Sequence, residues 1–208
     1  MDGAPVLGQT MASLLMAERA ERPAPASNSA PASRCIQGMN VTVKIPQVMW
    51  KNILRDLARP HAFAFERVGF IACRSAMTGD ETMTLYGVHY EPVAEDEYLD
   101  DDSAVAVMGP AAIRRALRLA LNEGNEDVSV LHVHHHFGRG VPRFSVTDAR
   151  ETKIFVPDFF HAAPLVPHGA IVFSNERAYG EIWLQEHSEP QQISEIISVG
   201  VPTNLLHI

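Results

Sequence analysis

Short segments with strand-like and helix-like patterns alternate along this chain, and this alternation constrains its fold more than any other feature. Val41–Ile45 alternates apolar and polar residues, as a strand does. After Pro46, apolar residues recur every three or four positions until Pro60, which predicts a helix. Apolar, strand-like runs follow at Phe63–Cys73 and Thr82–Tyr90. The first half of the pattern is therefore β-α-β-β.

The second half continues the same alternation. It contains a helix from Gly109-Pro110 to Gly124, a buried strand at Val128–His134, a short helix from Ser145, and a hairpin formed by Ala170–Ser174 and Tyr179–Gln185 around Asn175-Glu176. The order β-α-β-β-α-β-α-β-β predicts an α/β fold of the α+β type, with a single mixed sheet and flanking helices.

Composition separates a tail from a folded domain. Residues 1–38 include the Pro-, Ala- and Ser-rich run ERPAPASNSAPASR, which predicts a disordered N-terminal extension. Met39 is an alternative start of the protein. Residues 39–208 form the predicted domain, and an apolar content of 46% is enough for its core. The final run, ISEIISVGVPTNLLHI, is interpreted either as an edge element of the sheet or as a docking segment.

Charge and cysteine content narrow the functional classes. A formal net charge of −8 argues against nucleic acid as a partner. Only Cys35 and Cys73 are present, too few for a disulfide framework or a cysteine zinc site, which favours a reducing cytoplasm. No apolar run approaches the roughly 18–20 residues that span a membrane, and a signal peptide is not expected.

A histidine-rich strand end carries the strongest functional signal. The segment LHVHHHFGRGVPRFSVTD has alternate histidines at His132, His134 and His136, which share one face of a strand, whereas His135 points away. Asp148 follows at the start of a helix and can add an oxygen ligand. Two histidines, one carboxylate and a water are typical of a catalytic zinc site. The alternative is that Ser145-x-x-Asp148 only caps the helix, which needs no metal.

These residues resemble the signature of the JAMM family of zinc metalloproteases, also called MPN-plus or JAB-type, and bacterial members in particular. That signature is H-[ST]-H, seven residues, then S-x-x-D, with a glutamate on an upstream strand. Here His134-His135-His136 is followed by eight residues and then by Ser145-Val146-Thr147-Asp148. Glu66 in FERVGFIAC, with Gly69 and Phe70, is similar to the upstream E-x-x-G-[FL] element. The similarity extends over residues 41–186.

The sequence departs from the family pattern at three points. His135 stands where the family has serine or threonine, Phe137 replaces a proline, and the loop before Ser145 is one residue longer. Gly138 and Gly140 are flexible enough to absorb the extra residue.

The longer loop leaves two ligand pairs open. They are His132 with His134 and His134 with His136, of which the second is preferred, so His134 is required in either case.

The resemblance implies a fold, a cofactor and a set of residue roles. The fold would be MPN/JAB-like, with cytidine-deaminase-like layering. One Zn2+ would be held by His134, His136 and Asp148. Glu66 would take a proton from the attacking water, and Ser145 would donate a hydrogen bond to the developing oxyanion. For Glu66 the alternative is an ion pair with Arg67, or simple exposure to solvent.

The resemblance further implies that the substrate is a ubiquitin-like protein, its precursor or its conjugates, with partners encoded in a conjugation operon. The acidic loop Glu95–Asp102 is predicted either to attract the basic, extended tail of such a protein or to be a solvated loop. Three other functions remain open: a small-molecule or peptide amidase, a metal-free scaffold, and metal storage or sensing.

Overall fold

The computed structural model describes residues 38–60, 66–99, 106–121, 128–200 and 204–207. These residues form three α-helices and eleven strands: β1 (Asn40–Pro46), α1 (Gln47–Leu57), β2 (Val68–Gly79), β3 (Thr82–Pro92), β4 (Tyr98–Leu99), β5 (Val107–Met108), α2 (Pro110–Leu121), β6 (Ser129–His135), α3 (Val146–Ala162), β7 (His168–Phe173), β8 (Ala178–Trp183), β9 (Gln191–Gln192), β10 (Glu195–Val199) and β11 (Asn204–His207).

Nine of these strands form one mixed sheet, in the order β11-β10-β1-β3-β2-β6-β7-β8-β9. β1 runs parallel to both β3 and β10, and β6 runs parallel to β7, whereas β2 is antiparallel to β3 and β6. The predicted fold class, an α+β fold with a single mixed sheet and flanking helices, is therefore confirmed.

Helices cover both faces of the sheet around β6, and every residue of β6 and β7 is buried. On one face, α1 buries Trp50, Ile53 and Leu57 against the strands. On the other face, α2 and α3 pack together and against the strands, with Leu117 and Phe159 in the contact. The odd-numbered residues of β6 face α1 and the even-numbered ones face α2 and α3, which sets the direction of each histidine.

Two elements extend further than predicted. β2 continues to Gly79, past the predicted end at Cys73, because its exposed second half pairs with β3 in a long hairpin. The helix that begins after Ser145 is not short: α3 has 17 residues and continues through Pro157. Its apolar side chains Val156 and Phe160 are buried, and this burial offsets the backbone hydrogen bond that a proline removes.

The chain ends within the sheet. β10 lies between β1 and β11, so the interpretation of the last run as an edge element holds for β11, while β10 is an internal strand. The other C-terminal strand, β9, lies at the opposite edge.

Several sequence predictions concern residues outside the described part of the chain: the tail over residues 1–37, the start of the predicted strand at 63–65, residues 100–102 of the acidic loop, and the helix end at Gly124. Within the described residues, the longest helices are too short or too polar to cross a bilayer.

Candidate metal centre

The antiparallel register of β2 and β6 determines the positions of two predicted site residues, Glu66 and His136. His134 pairs with Val68, and His132 pairs with Phe70. Continued by two residues beyond the Val68–His134 pair, this register places Glu66 opposite His136. Because side chains two apart share a face, all of these groups lie on the side of the sheet that α2 and α3 cover.

Arg67 holds the segment that carries Glu66. Its guanidinium donates to the carbonyl oxygens of Arg59 (2.9 Å) and Pro60 (2.7 Å), just past α1, and pairs with the carboxylate of Glu95. Arg67 is buried, and Glu66 is not its acidic partner. The alternative in which Glu66 serves only to neutralise Arg67 is therefore wrong. The sequence offered no sign of this positioning role, since Arg67 reads as an ordinary charged residue beside a strand.

The N-terminus of α3 provides the second carboxylate. Ser145 caps the helix: its Oγ accepts from the backbone N–H of Asp148 at 3.1 Å, and Asp148 Oδ2 accepts from the N–H of Ser145 at 2.7 Å. The predicted capping box is therefore present. It does not compete with a metal site, because the cap fixes the same Asp148 carboxylate beside two histidines.

Four side chains converge at this point: Glu66, His134, His136 and Asp148 each offer a ligand atom, and these atoms all lie within 4.8 Å of one another. His134 Nε2 is 3.4 Å and His136 Nε2 is 3.3 Å from Asp148 Oδ2, and His136 Nε2 is 3.4 Å from Glu66 Oε1. Hence the groups face a common point at separations longer than ordinary hydrogen bonds.

The His134 imidazole gives the clearest test of whether these residues fit a metal ion. It is buried, yet neither ring nitrogen has a hydrogen-bond partner among the described residues. Buried polar groups without partners are costly in folded proteins. A divalent cation would satisfy Nε2, and two imidazoles with carboxylate oxygens are donors that zinc accepts. The cluster therefore fits a metal ion, with His134, His136 and Asp148 as ligands and Glu66 beside them.

The two carboxyl groups differ in their electrostatics. Burial raises the pKa of Glu66; His134 and His136 act against this effect and Asp148 adds to it, so the pKa stays above its ordinary value. For Asp148, burial also favours the neutral form, but the His134 imidazole and the hydrogen bonds with Ser145 outweigh it and hold the pKa far below its usual range. The site thus combines a permanent anion with a carboxyl group suited to holding a proton.

The remaining histidines of the motif lie outside the cluster. His132 is on the same face but packs between Phe70 and Phe155, with ring centroids 5.6 and 4.8 Å away, and its burial lowers its pKa to about 3. His135 faces away, as predicted, and hydrogen-bonds Asn175 Oδ1 at 3.1 Å. Of the two ligand pairs left open, His134 with His136 is the one that the structure brings together.

The longer loop after the histidines contains one glycine with an unusual backbone. Gly138 has a φ of 148°, which side-chain-bearing residues rarely adopt, and its carbonyl accepts from the N–H of Asn175 at 2.9 Å. Gly140 shows no such conformation. Phe137, at the position of the family proline, is 73% exposed.

A cavity of about 310 Å³ adjoins the cluster, and its lining includes Glu66, His134 and Asp148. From there it extends between the sheet, α2 and α3, beside Phe70 and Leu117. The sequence indicated that the apolar face of α2 belongs to the core. It did not indicate that this face also lines a cavity, because hydrophobic periodicity reports burial and not packing density.

Comparisons with known proteins add little. No model of a protein family matches the sequence, and no curated protein matches it. A solved structure with some similarity is the N-terminal domain of STIL from Trichoplax adhaerens, at 7% identity and a TM-score of 0.24. The match covers 55% of this chain and 31% of that one, and a likeness this low carries no argument about fold or function.

Proposed function

We propose that this protein is a metal-dependent hydrolase of amide or isopeptide bonds, with zinc held by His134, His136 and Asp148. The observation that carries the proposal is the convergence of these ligands with Glu66 inside 4.8 Å, next to a cavity. Bound zinc would supply a lowered pKa for a coordinated water molecule and polarisation of the scissile carbonyl.

The side chains have distinct roles in this proposal. Glu66 accepts a proton from the attacking water and returns it to the leaving amine, a role supported by its raised pKa and its position 3.4 Å from His136. Asp148 stays ionised and orients both imidazoles. The Oγ of Ser145 accepts one backbone N–H, which leaves its own hydroxyl proton available to an oxyanion.

Two substrate classes are compatible with this chemistry. The first, implied by the family resemblance, is the extended tail of a ubiquitin-like protein or of its conjugates. In the acidic loop proposed to attract such a tail, Glu95 pairs with Arg67, and Glu97 lies 2.6 Å from Arg115. These internal ion pairs weaken the electrostatic part of that proposal. The second class is a small-molecule or peptide amide, and the apolar cavity beside the cluster favours it.

Substitution of Glu66 tests the reaction. We expect Glu66→Gln to keep zinc at the wild-type stoichiometry and to lower the rate of amide hydrolysis by about 100- to 10,000-fold, since the amide cannot accept the proton. Zinc is measured by elemental analysis, and hydrolysis is measured on a panel of peptide amides and tail-extended ubiquitin-like fusions, with and without chelator.

Glu189→Gln is the matched control, because Glu189 is almost fully exposed and its nearest cation is Lys153 at 3.8 Å. Retained turnover in Glu66→Gln contradicts the proposed base. Loss of zinc in that variant instead makes Glu66 a fourth ligand.

A further inference from the structure

The cavity beside the metal centre has the character of a binding site for an apolar group. Its volume of about 310 Å³ lies at the lower end of the range for small-molecule pockets. Apolar side chains from the sheet, α2 and α3 form most of its interior: Phe70, Ile113, Ala116, Leu117, Phe155 and Phe159. The charged groups Glu66 and Asp148, which belong to the cluster, also line it, together with Arg150, Glu151 and Asp158 of α3.

A buried polar side chain inside this cavity lacks a partner. His132 lines the wall and is 8% exposed, and its Nδ1 has no hydrogen-bond partner among the described residues. Its ring centroid lies 4.8 Å from that of Phe155 and 5.8 Å from that of His134, but His132 is not one of the four side chains of the cluster. A mainly apolar pocket with a few polar groups is a common arrangement in ligand sites, where the polar groups orient the ligand.

The size and polarity of the cavity discriminate between substrates. A tail that ends in glycines has no side chain beside the scissile bond and would leave the cavity empty. Empty apolar space in a core lowers stability in proportion to its volume. An aliphatic or aromatic side chain next to the scissile amide would fill the space and would bring its carbonyl to the cluster at the cavity's other end.

We infer that the cavity is the specificity pocket for a bulky apolar side chain adjoining the amide that is cut. This inference rests on the proposed function and deepens it: the substrate class is peptides or acylated amino acids with an aliphatic or aromatic residue at the scissile bond. Ala116, on the buried face of α2, lines the pocket.

The test compares rates within one preparation of the zinc-loaded, full-length protein. The substrates are N-acetyl-X-glycinamide and N-acetylglycyl-X-amide, with phenylalanine, leucine, alanine or glycine as X. In the wild type we expect kcat/KM for phenylalanine to exceed that for glycine by at least about tenfold in one of the two series. The series that shows the preference reports the side of the amide on which the pocket lies.

Ala116→Leu should lower the phenylalanine-to-glycine ratio by at least about tenfold, because the added carbons occupy the pocket. Ala111→Leu is the matched control, since Ala111 is exposed on the same helix and does not line the cavity. If Ala116→Leu does not fold, Ile113→Ala replaces it: the wider pocket should shift the preference from phenylalanine to tryptophan.

A binding measurement separates this inference from the proposed reaction. Calorimetric titration of the Glu66→Gln variant with N-acetylphenylalanyl-glycinamide, N-acetylglycyl-phenylalaninamide and N-acetylglycyl-glycinamide reports selectivity on either side of the amide without turnover. Chelator-sensitive hydrolysis with equal rates for all X, unchanged by Ala116→Leu, overturns the pocket and leaves the reaction standing. Selective binding of a phenylalanine ligand without hydrolysis by the wild type supports the pocket and overturns the reaction. Equal binding of all three ligands, with no hydrolysis, overturns both the pocket and the reaction.

Discussion

Two histidines on the same face of β6, His132 and His134, have different surroundings, and only His134 belongs to the candidate metal cluster. His134 lies 3.4 Å from Asp148, whereas His132 is enclosed by aromatic rings. The same substitution at each position therefore has different consequences for the metal. We expect His134→Asn to weaken zinc affinity by more than about 100-fold, since loss of a ligand exceeds the loss of its supporting groups. We expect His132→Asn to retain zinc within about threefold of the wild-type affinity, because His132 lies outside the cluster and supports none of its ligands.

Competition titrations with a zinc-binding dye measure both affinities. Equal loss of zinc in the two variants would show that His132 is a ligand. The sequence could not distinguish His132 from His134 in this respect, because alternate residues of a strand lie on the same face. Only the position of Asp148 in the folded protein distinguishes them.

The protonation of His168 should affect the stability of the fold whether or not a metal ion is bound. It is fully buried: its Nδ1 accepts from the N–H of Val130 at 3.0 Å, and its Nε2 donates to the carbonyl of Ala163 at 2.9 Å. The contact at Nδ1 requires the neutral ring, because a protonated Nδ1 cannot accept a hydrogen bond, and burial lowers the pKa of His168 to about 4. The unfolded chain takes up this proton at about pH 6.5, so stability falls as the pH drops from there towards the folded-state pKa.

Between pH 7 and pH 5, His168 should account for about 2 kcal/mol of the lost stability. Urea unfolding of chelator-treated wild type and His168→Gln at both pH values isolates this contribution, because the other histidines are common to both proteins. We expect a smaller pH dependence in the variant. An identical dependence in the two proteins would mean that His168 is not the group that titrates.

At the scale of secondary-structure elements, Gly69, the glycine of the E-x-x-G-F run, lies where three elements pack together. A Cβ on Gly69 of β2 would lie 2.7 Å from the ring and hydroxyl of Tyr90 on β3. That hydroxyl donates to Asp56 Oδ2 on α1 at 2.6 Å, so the ring is not free to move away. Gly69 is therefore needed for close packing of β2, β3 and α1, directly beyond Glu66.

We expect Gly69→Ala to cost about 1–3 kcal/mol of unfolding free energy through overpacking. Gly79→Ala, on the same strand, is the matched control, because its nearest neighbours would be 3.6 Å from the new Cβ. In a double-mutant cycle followed by urea unfolding, Tyr90→Val should remove most of the cost of Gly69→Ala. Strictly additive effects would argue against the steric explanation.

Element prediction from the sequence succeeded where the signal was local. The start of α3 follows from the cap at Ser145, and β1 follows from strict alternation over Val41–Ile45. The end of α3 did not follow, because Pro157 predicts an early stop and only burial of Val156 and Phe160 by tertiary packing allows the helix to continue. The second half of β2 was missed for a similar reason, since its pairing with β3 sustains a strand that is polar and exposed.

At the scale of the whole molecule, the sequence pattern could not predict which strands pair when they are far apart in the chain. Periodicity identifies a strand but not its neighbours, so the insertion of β10 between β1 and β11 could not be predicted. The grouping of the candidate site residues could be predicted better than the order of the strands, because these residues lie along the chain within two short motifs. The cavity beside them was not predicted, since unfilled volume depends on how α2 and α3 pack together.

The candidate metal centre joins segments that are distant in the chain: the start of β2, the end of β6 and the start of α3. A cation held there binds only the folded state, so it stabilises the whole molecule in proportion to its concentration. At free zinc 100 times its Kd, the gain is about 2.7 kcal/mol, which for a domain of this size raises Tm by about 5–10 °C. We expect chelator to lower the Tm of the wild type by this amount and to leave His134→Asn unchanged, in calorimetric scans with matched free zinc. An equal chelator effect on both proteins would place the stabilising ion elsewhere in the chain.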